Sequence, residues 1–261
     1  MDYQKIIDEY PQEYCSLLEL CYGEGMMSEG GSKAIDQLFS GADINNKKVL
    51  EIGFGQGGLA QYISSKYPSL DYHGVEINAD MVKHANKRYK KSNTHFYHLE
   101  NPEVLPFADL SFDLIFSKGV LAHVDNKLPL FKEVHRVCKK GGLFIVNDWL
   151  SPDGLGFGEL VEKMCELEGL TIYPTTMTQY VDILTTVGFL VESMTSENKA
   201  YAQYNADVVT RLQQQAIKKQ FLVTHSEAEY QECIEAYGWI SQAYIQDNLL
   251  LRRFLSRKVE Q

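Results

Sequence analysis

Residues 49–58 read Val49-Leu50-Glu51-Ile52-Gly53-Phe54-Gly55-Gln56-Gly57-Gly58, a short apolar run that breaks into glycines, and the helical spacing of Leu59, Tyr62 and Ile63 follows. This pattern predicts a strand that bends sharply into a helix. Glycine tolerates the positive φ of a tight bend and leaves no Cβ between the main chain and a ligand. Such turns belong to α/β folds with parallel sheets, whose ligands sit at the carboxyl ends of the strands. The glycines do not choose the ligand, because Gly53-x-Gly55-x-x-Gly58 also satisfies the dinucleotide fingerprint, and Glu76, placed to accept from a ribose diol, suits either cofactor.

The flanking chain keeps the same rhythm. Tyr72 to Ile77 reads as a second strand, and Asn78 caps a helix carrying Met81, Val82, Ala85 and Tyr89. Thr94 to Leu99 and Phe112 to Phe116 read as third and fourth strands. A helix follows with Leu128, Phe131, Val134, His135 and Cys138 inward, stopped at Lys139-Lys140-Gly141-Gly142, and Leu143 to Asn147 is a fifth strand. Strand and helix in alternation imply parallel pairing with right-handed crossovers, a doubly wound α/β sheet. Residues 1–40 look helical and end in the amphipathic Ala34, Ile35, Leu38 and Phe39. Beyond residue 150 come a helix from Thr178 to Val187, a strand from Phe189 to Met194, helical stretches over 197–220 and 226–247, and a last strand from Leu249 to Arg257. The expected organisation is N-terminal helices (1–40) closing the ligand site, an α/β core (41–195), a helical cap (196–248) and a returning strand with the tail (249–261).

Composition narrows the partners. The 261 residues carry 25 Lys and Arg against 35 Asp and Glu, a net charge of −10, which disfavours nucleic acid and anionic membranes. The one dense basic run, Arg252 to Lys258, reads as a solvated terminal strand. Five scattered cysteines without a Cys-x-x-Cys pair argue for a reducing compartment, and neither a polar N-terminus nor any long apolar run suggests a signal peptide or membrane span. The expected location is cytoplasmic. His95 and His98, on an alternating strand, are expected to point the same way, but they lack an evident cysteine or acid partner, so no metal site is expected.

Three features favour a sulfonium cofactor over a dinucleotide: an acid, Glu51, inside the first strand; the loop Leu105-Pro106-Phe107-Ala108-Asp109 feeding the fourth strand; and the glycine turn Gly141-Gly142 before the fifth. Over about residues 25–195 the chain resembles the class I S-adenosylmethionine-dependent methyltransferases, whose Glu/Asp-x-Gly-x-Gly-x-Gly signature is met by Glu51, Gly53, Gly55 and Gly57. That resemblance implies a seven-stranded Rossmann-like sheet and a division of labour. Gly53, Gly55 and Gln56 would support the methionine end, Glu51 would face its amino group, and Glu76 would bind the ribose. Ile77 and Met81 would pack on the adenine, Asn101 would accept from its amino group through the side-chain carbonyl, and Pro102 and Ser117 would join the cofactor-binding residues.

Three further segments, Tyr22 to Gly31, Phe116 to His123 and Met177 to Leu184, resemble the phosphoethanolamine and the sarcosine and dimethylglycine N-methyltransferases. The resemblance implies Ser28 at the methionine end, a catalytic pair formed by Tyr10 and His123, and Tyr180 at the acceptor. The ring faces of Trp149, Tyr180 and Tyr22, with Tyr201, Tyr204, Tyr237 and Tyr244 of the expected cap, would frame a cationic or apolar acceptor. The chain departs from the phosphobase pattern at Gly119, where that group has an acid, and at Trp149, where it has a phosphate-binding tyrosine. Pro102 also offers no N–H to an adenine ring. The expected partner is a small-molecule acceptor, most simply an amine. The rival readings are O- or C-methylation of a larger natural product and a cofactor-binding protein without turnover.

Overall fold

The computed structural model describes residues 3–259; Met1, Asp2, Glu260 and Gln261, the outermost parts of the expected 1–40 and 249–261 segments, lie outside the described residues. Three helices, α1 (Tyr3–Asp8), α2 (Gln12–Tyr22) and α3 (Gly31–Leu38), precede the sheet. The core then alternates β1 (Lys48–Ile52), α4 (Gly58–Lys66), β2 (Asp71–Glu76), α5 (Ala79–Tyr89), β3 (Thr94–His98), β4 (Phe112–Lys118), α6 (Leu128–Val137) and β5 (Cys138–Leu150). Next come α7 (Glu159–Glu168), α8 (Met177–Thr186), β6 (Phe189–Ser196), α9 (Asn198–Leu212), α10 (Gln215–Phe221), α11 (Glu227–Ile245) and β7 (Leu250–Lys258).

The strands form one sheet in the order β3-β2-β1-β4-β5-β7-β6, parallel through β5, with β7 antiparallel to both of its neighbours. The chain winds outward from β1 to β3, then returns to place β4 on the other side of β1. This makes the carboxyl ends of β1 and β4 the switch point at which open α/β sheets bind ligands. One face is covered by Phe131, Val134 and Val137 of α6 with Tyr180 and Leu184 of α8. The other takes Ile35 and Leu38 of α3, Leu59 and Ile63 of α4, and Val82 and Ala85 of α5. Apolar residues on both faces explain why the inner strands read as nearly continuous hydrophobic runs. Asn78 caps α5 as its sequence predicts, accepting from the backbone N–H groups of Asp80 and Met81.

Four local expectations need correction. No helix stop forms at Lys139 to Gly142. There α6 has ended at Val137, and β5 begins at Cys138 opposite Phe112, then shifts register so that Leu143 faces Leu114. Lys139 pairs with Asp113 at 2.8 Å instead of facing a helix end. The basic tail is only partly solvated, because β7 inserts between β5 and β6: Arg257 is exposed, but Arg253 is buried and donates to the carbonyls of Leu38 and Ser40, and Lys258, also buried, donates to those of His135 and Cys138. The stretch 197–220 is two helices broken at Gln213 and Gln214. The cap also recruits α7, which sequence periodicity missed; Val161 and Met164 pack with Ala236 and Ile240 of α11.

His95 and His98 lie three residues apart on β3 and diverge to opposite faces, as a period of two requires. His98 bonds the Ile77 carbonyl, whereas His95 stacks on His73 and approaches Asp71, the acid partner that its sequence neighbourhood does not reveal. Nitrogen atoms of His73 and His95 and a carboxylate oxygen of Asp71 lie within 4.8 Å of one another, at the amino-terminal edge of the sheet and away from the switch point. Among the described residues, no helix is long and apolar enough to cross a membrane.

Candidate active site

Two adjoining cavities open over the carboxyl ends of the sheet. The first, about 160 Å³, is lined by Glu51 and the bend after β1, by Glu76, Ile77 and Asn78 after β2, and by Lys118, Gly119 and Val120 after β4. Gly53 and Gly55 adopt φ values of +74° and +57°. A side chain at Gly53 would strike Val120 and one at Gly55 would strike Met27, so these bends require glycine for space as well as for conformation. The segment after α2 roofs this cavity: the Gly25 carbonyl accepts from the N–H of Gly58 at the start of α4 (3.0 Å), and Met26, Met27 and Ser28 line the wall.

Glu51 is buried, and the Tyr72 hydroxyl donates to its Oε2 at 2.5 Å. Burial pushes its carboxyl up to about 8, against the downward pull of Tyr72 and Lys118. A buried acid with a single hydrogen-bond donor at the head of a cavity is set to ionise when a cation arrives beside it. Glu76 accepts from the N–H groups of Gly55 (3.0 Å) and Asn78 (3.1 Å), which fixes its carboxylate at the end of β2, and burial raises its pKa as well.

The second cavity, about 90 Å³, lies between the N-terminal helices, the cap and the 151–176 connection. It shares Tyr10, Met27, Ser28, Lys118, Gly119 and His123 with the first, so these residues form the boundary between the two. His123 ends a short helical turn that follows β4. Its Nδ1 lies 2.7 Å from the Thr171 carbonyl, which can only accept, so Nδ1 carries the proton and Nε2 keeps its lone pair. The Tyr10 hydroxyl, 2.9 Å from Nε2, therefore donates to it. Desolvation lowers the His123 pKa and raises that of Tyr10, which keeps both neutral. The pair is held from both sides: Glu9 accepts from the Thr171 N–H (3.0 Å) and the Tyr173 N–H donates to the Ala122 carbonyl (2.8 Å).

Sequence reasoning missed Lys118, Glu29, Glu168 and Tyr14. Lys118 ends β4, where its ammonium donates to Ser28 Oγ (2.8 Å) and the Glu29 carbonyl (2.7 Å), and burial lowers its pKa to about 8. The Glu29 carboxylate accepts from Trp149, Asn205 and Tyr244, joining the N-terminal segment to the sheet and cap. A lysine closing a strand whose centre, Leu114 to Phe116, is apolar was the available signal for Lys118. Glu29 and Glu168 had none, because their partners lie more than a hundred residues away in the chain.

Most expected cofactor residues converge. Ser28, Glu51, Gly53, Gly55, Glu76, Ile77, Met81 and Pro102 all line the first cavity. Three do not reach its wall. Asn101 is exposed, and its side-chain oxygen is occupied by the Glu103 N–H in a local turn (3.0 Å). Ser117 faces inward and donates to the Ile52 carbonyl (3.0 Å). Gln56 is buried behind the bend, its side chain beside the Cys15 thiol. Of the residues expected around an acceptor, Tyr22 and Trp149 are in the wall of the second cavity, as are Tyr201 of α9 and Tyr237 of α11. Tyr180 is not. It is stacked on Phe254 in the core and donates to Asp148 (3.1 Å), so its contribution to the site passes through that carboxylate. Tyr204 stacks on Tyr22 from outside, and Tyr244 bonds Glu29.

A family described as "Methyltransferase domain" matches residues 50–146. Phosphoethanolamine N-methyltransferase from Plasmodium falciparum (isolate 3D7) is 29% identical over 185 residues, spanning 70% of this chain and 68% of that protein. Phosphoethanolamine N-methyltransferase 3 from Arabidopsis thaliana is 24% identical over 254 residues, covering 92% of this chain but 48% of its own length. The chain thus spans about half the length of this plant relative. Among solved structures, Haemonchus contortus phosphoethanolamine N-methyltransferase 2 in complex with S-adenosyl-L-methionine matches 100% of this chain and 60% of its own, at 22% identity and a TM-score of 0.85.

Proposed function

We propose that this chain, a class I methyltransferase near the phosphoethanolamine N-methyltransferases, moves a methyl group from S-adenosylmethionine to the nitrogen of a small amine. S-adenosylmethionine fits the first cavity on two features. Gly53 and Gly55 bring the main chain to its wall, and Glu51 offers a buried carboxyl with no cation in hydrogen-bond contact among the described residues. Glu51 and Ser28 would hold the methionine end, Glu76 the ribose hydroxyls, and Ile77 and Met81 the adenine. When bound, the cofactor supplies an electrophilic methyl on a sulfonium. The N-terminal helices (1–40) would serve as its lid.

The observation that carries this reading is the oriented Tyr10–His123 pair at the boundary of the two cavities. An amine enters as an ammonium and has no lone pair until it loses a proton. Tyr10 can accept that proton on its oxygen as it passes its own to His123 Nε2, leaving an imidazolium that the Thr171 carbonyl stabilises. Neither residue acquires a net negative charge. The cavity walls hold the nitrogen in line and exclude water, an effect worth about 7–11 kcal/mol in well-oriented reactions.

The test is transfer of labelled methyl from S-adenosylmethionine across a panel of amines and phenols. His123→Ala is expected to lower kcat for the best amine by about 10²–10⁴-fold, the usual span of general-base catalysis, and to leave S-adenosylhomocysteine binding intact. Unchanged kcat would remove the proton relay from the account. Transfer to phenols or carbon acceptors alone would replace N-methylation, and binding without turnover on every acceptor would favour a non-catalytic role.

A further inference from the structure

The charged groups around the acceptor cavity are unbalanced. Among the described residues, three carboxyl groups face it, Glu29, Asp148 and Glu168, against one ammonium, Lys118; burial raises the pKa of all three acids, that of Glu168 to about 7, so each is set to ionise beside an arriving cation. Most of these groups are already engaged. Lys118 is occupied by Ser28 and the Glu29 carbonyl; Glu29 accepts from Trp149, Asn205 and Tyr244; Asp148 accepts from Tyr180 and the Ala122 N–H. Glu168, at the last turn of α7, takes a single hydrogen bond, from the Tyr14 hydroxyl to Oε2 at 2.6 Å, and among the described residues no cation pairs with it. Its surroundings are aromatic: Tyr14 lies 5.7 Å from Tyr10 between ring centroids, and Tyr22 and Tyr237 meet edge-on at 5.5 Å in the same wall. Ring faces and an unpaired carboxylate both attract cations. A phosphate would meet the opposite conditions, since it needs several donors and the cavity commits its single ammonium elsewhere.

Resting on the amine reading above, we propose that the acceptor is a cationic amine carrying no phosphate, and that Glu168 is the carboxylate that selects it. The positive end of the acceptor pairs with Glu168 and stands against the tyrosine rings, close to the Tyr10 hydroxyl that receives its proton. This distinguishes the chain from relatives named for a phosphorylated acceptor. Such a cavity admits ethanolamine, its N-methylated forms and other small amines, and repels their phosphate esters.

The experiment compares labelled methyl transfer to ethanolamine, N-methylethanolamine and phosphoethanolamine by the wild-type chain, Glu168→Gln and Glu168→Arg, with S-adenosylhomocysteine titration as the check that each variant retains its fold and cofactor site. The wild type is expected to show kcat/KM at least tenfold higher for the unphosphorylated amines. Glu168→Gln should raise their KM about tenfold or more with a smaller change in kcat, and Glu168→Arg should shift preference toward phosphoethanolamine. A wild type that prefers phosphoethanolamine, or a Glu168→Gln variant with unaltered KM, overturns this assignment and leaves N-methylation standing. Failure of every amine, phosphorylated or not, overturns the underlying functional reading as well.

Discussion

The two cavities meet at Tyr10 and His123 but are built differently. The first is framed largely by strand ends, Glu51 on β1, Glu76 on β2 and Lys118 on β4, with the glycine bend between them. These positions are fixed by the ladder of a parallel sheet whose residues are buried on both faces. The second is assembled from the N-terminal helices, α7, the 170–175 segment and α11, pieces that come together through side-chain packing and single hydrogen bonds. A scaffold shared by many enzymes can keep the first cavity constant while the second is rebuilt from loops and helices for another acceptor. The chemistry on each side follows suit: acids placed for one cofactor below, and a more adaptable aromatic and acidic enclosure above.

Substitutions that touch one cavity and spare the other test this division. The largest effect after the loss of His123 is expected at Glu51. Glu51→Gln keeps the shape and the Tyr72 contact but removes the charge, and it should weaken S-adenosylhomocysteine binding about 10–100-fold, the worth of a hydrogen bond to a charged group, with little change in acceptor KM at saturating cofactor. Calorimetric titration checks it. Equal losses in cofactor affinity and acceptor KM would dissolve the distinction between the two cavities. The smallest effect on activity is expected at Tyr180. Tyr180→Phe leaves a buried oxygen of Asp148 without its donor in the core and should cost about 1–3 kcal/mol of stability in chemical denaturation, leaving acceptor KM within about twofold. A large rise in KM would return Tyr180 to the acceptor wall.

The same contrast explains what could be read from the chain. The sheet, its switch point and most of the cofactor wall were legible because each depends on local pattern: glycines after β1, an acid closing β2, a cap at Asn78. Tyr10 and His123 were found through resemblance, and the structure gives them a physical basis as a hydrogen-bonded pair whose tautomer is set by Thr171. Failures cluster where sequence neighbours do not decide. Asn101 satisfies its own turn instead of reaching the cavity, as short polar side chains often do. Tyr180 sits in the core because α8 turns that face toward Phe254. The helix α7 and its Glu168 escaped notice because α7 gains its order from packing on α11, and the basic tail looked solvated because nothing local announces that β7 is an inner strand.

The most direct measurement of the central claim is calorimetric titration of S-adenosylhomocysteine at pH 7 in two buffers of different ionisation enthalpy. In the empty cavity the Glu51 carboxyl, raised to about 8, holds its proton at that pH; the ligand's ammonium would lower its pKa and drive the proton off. Binding is expected to release up to one proton, an effect that fades as the pH rises past 8 and is absent in Glu51→Gln. Binding of NAD in place of S-adenosylhomocysteine, or binding with no proton released at pH 7, would contradict it.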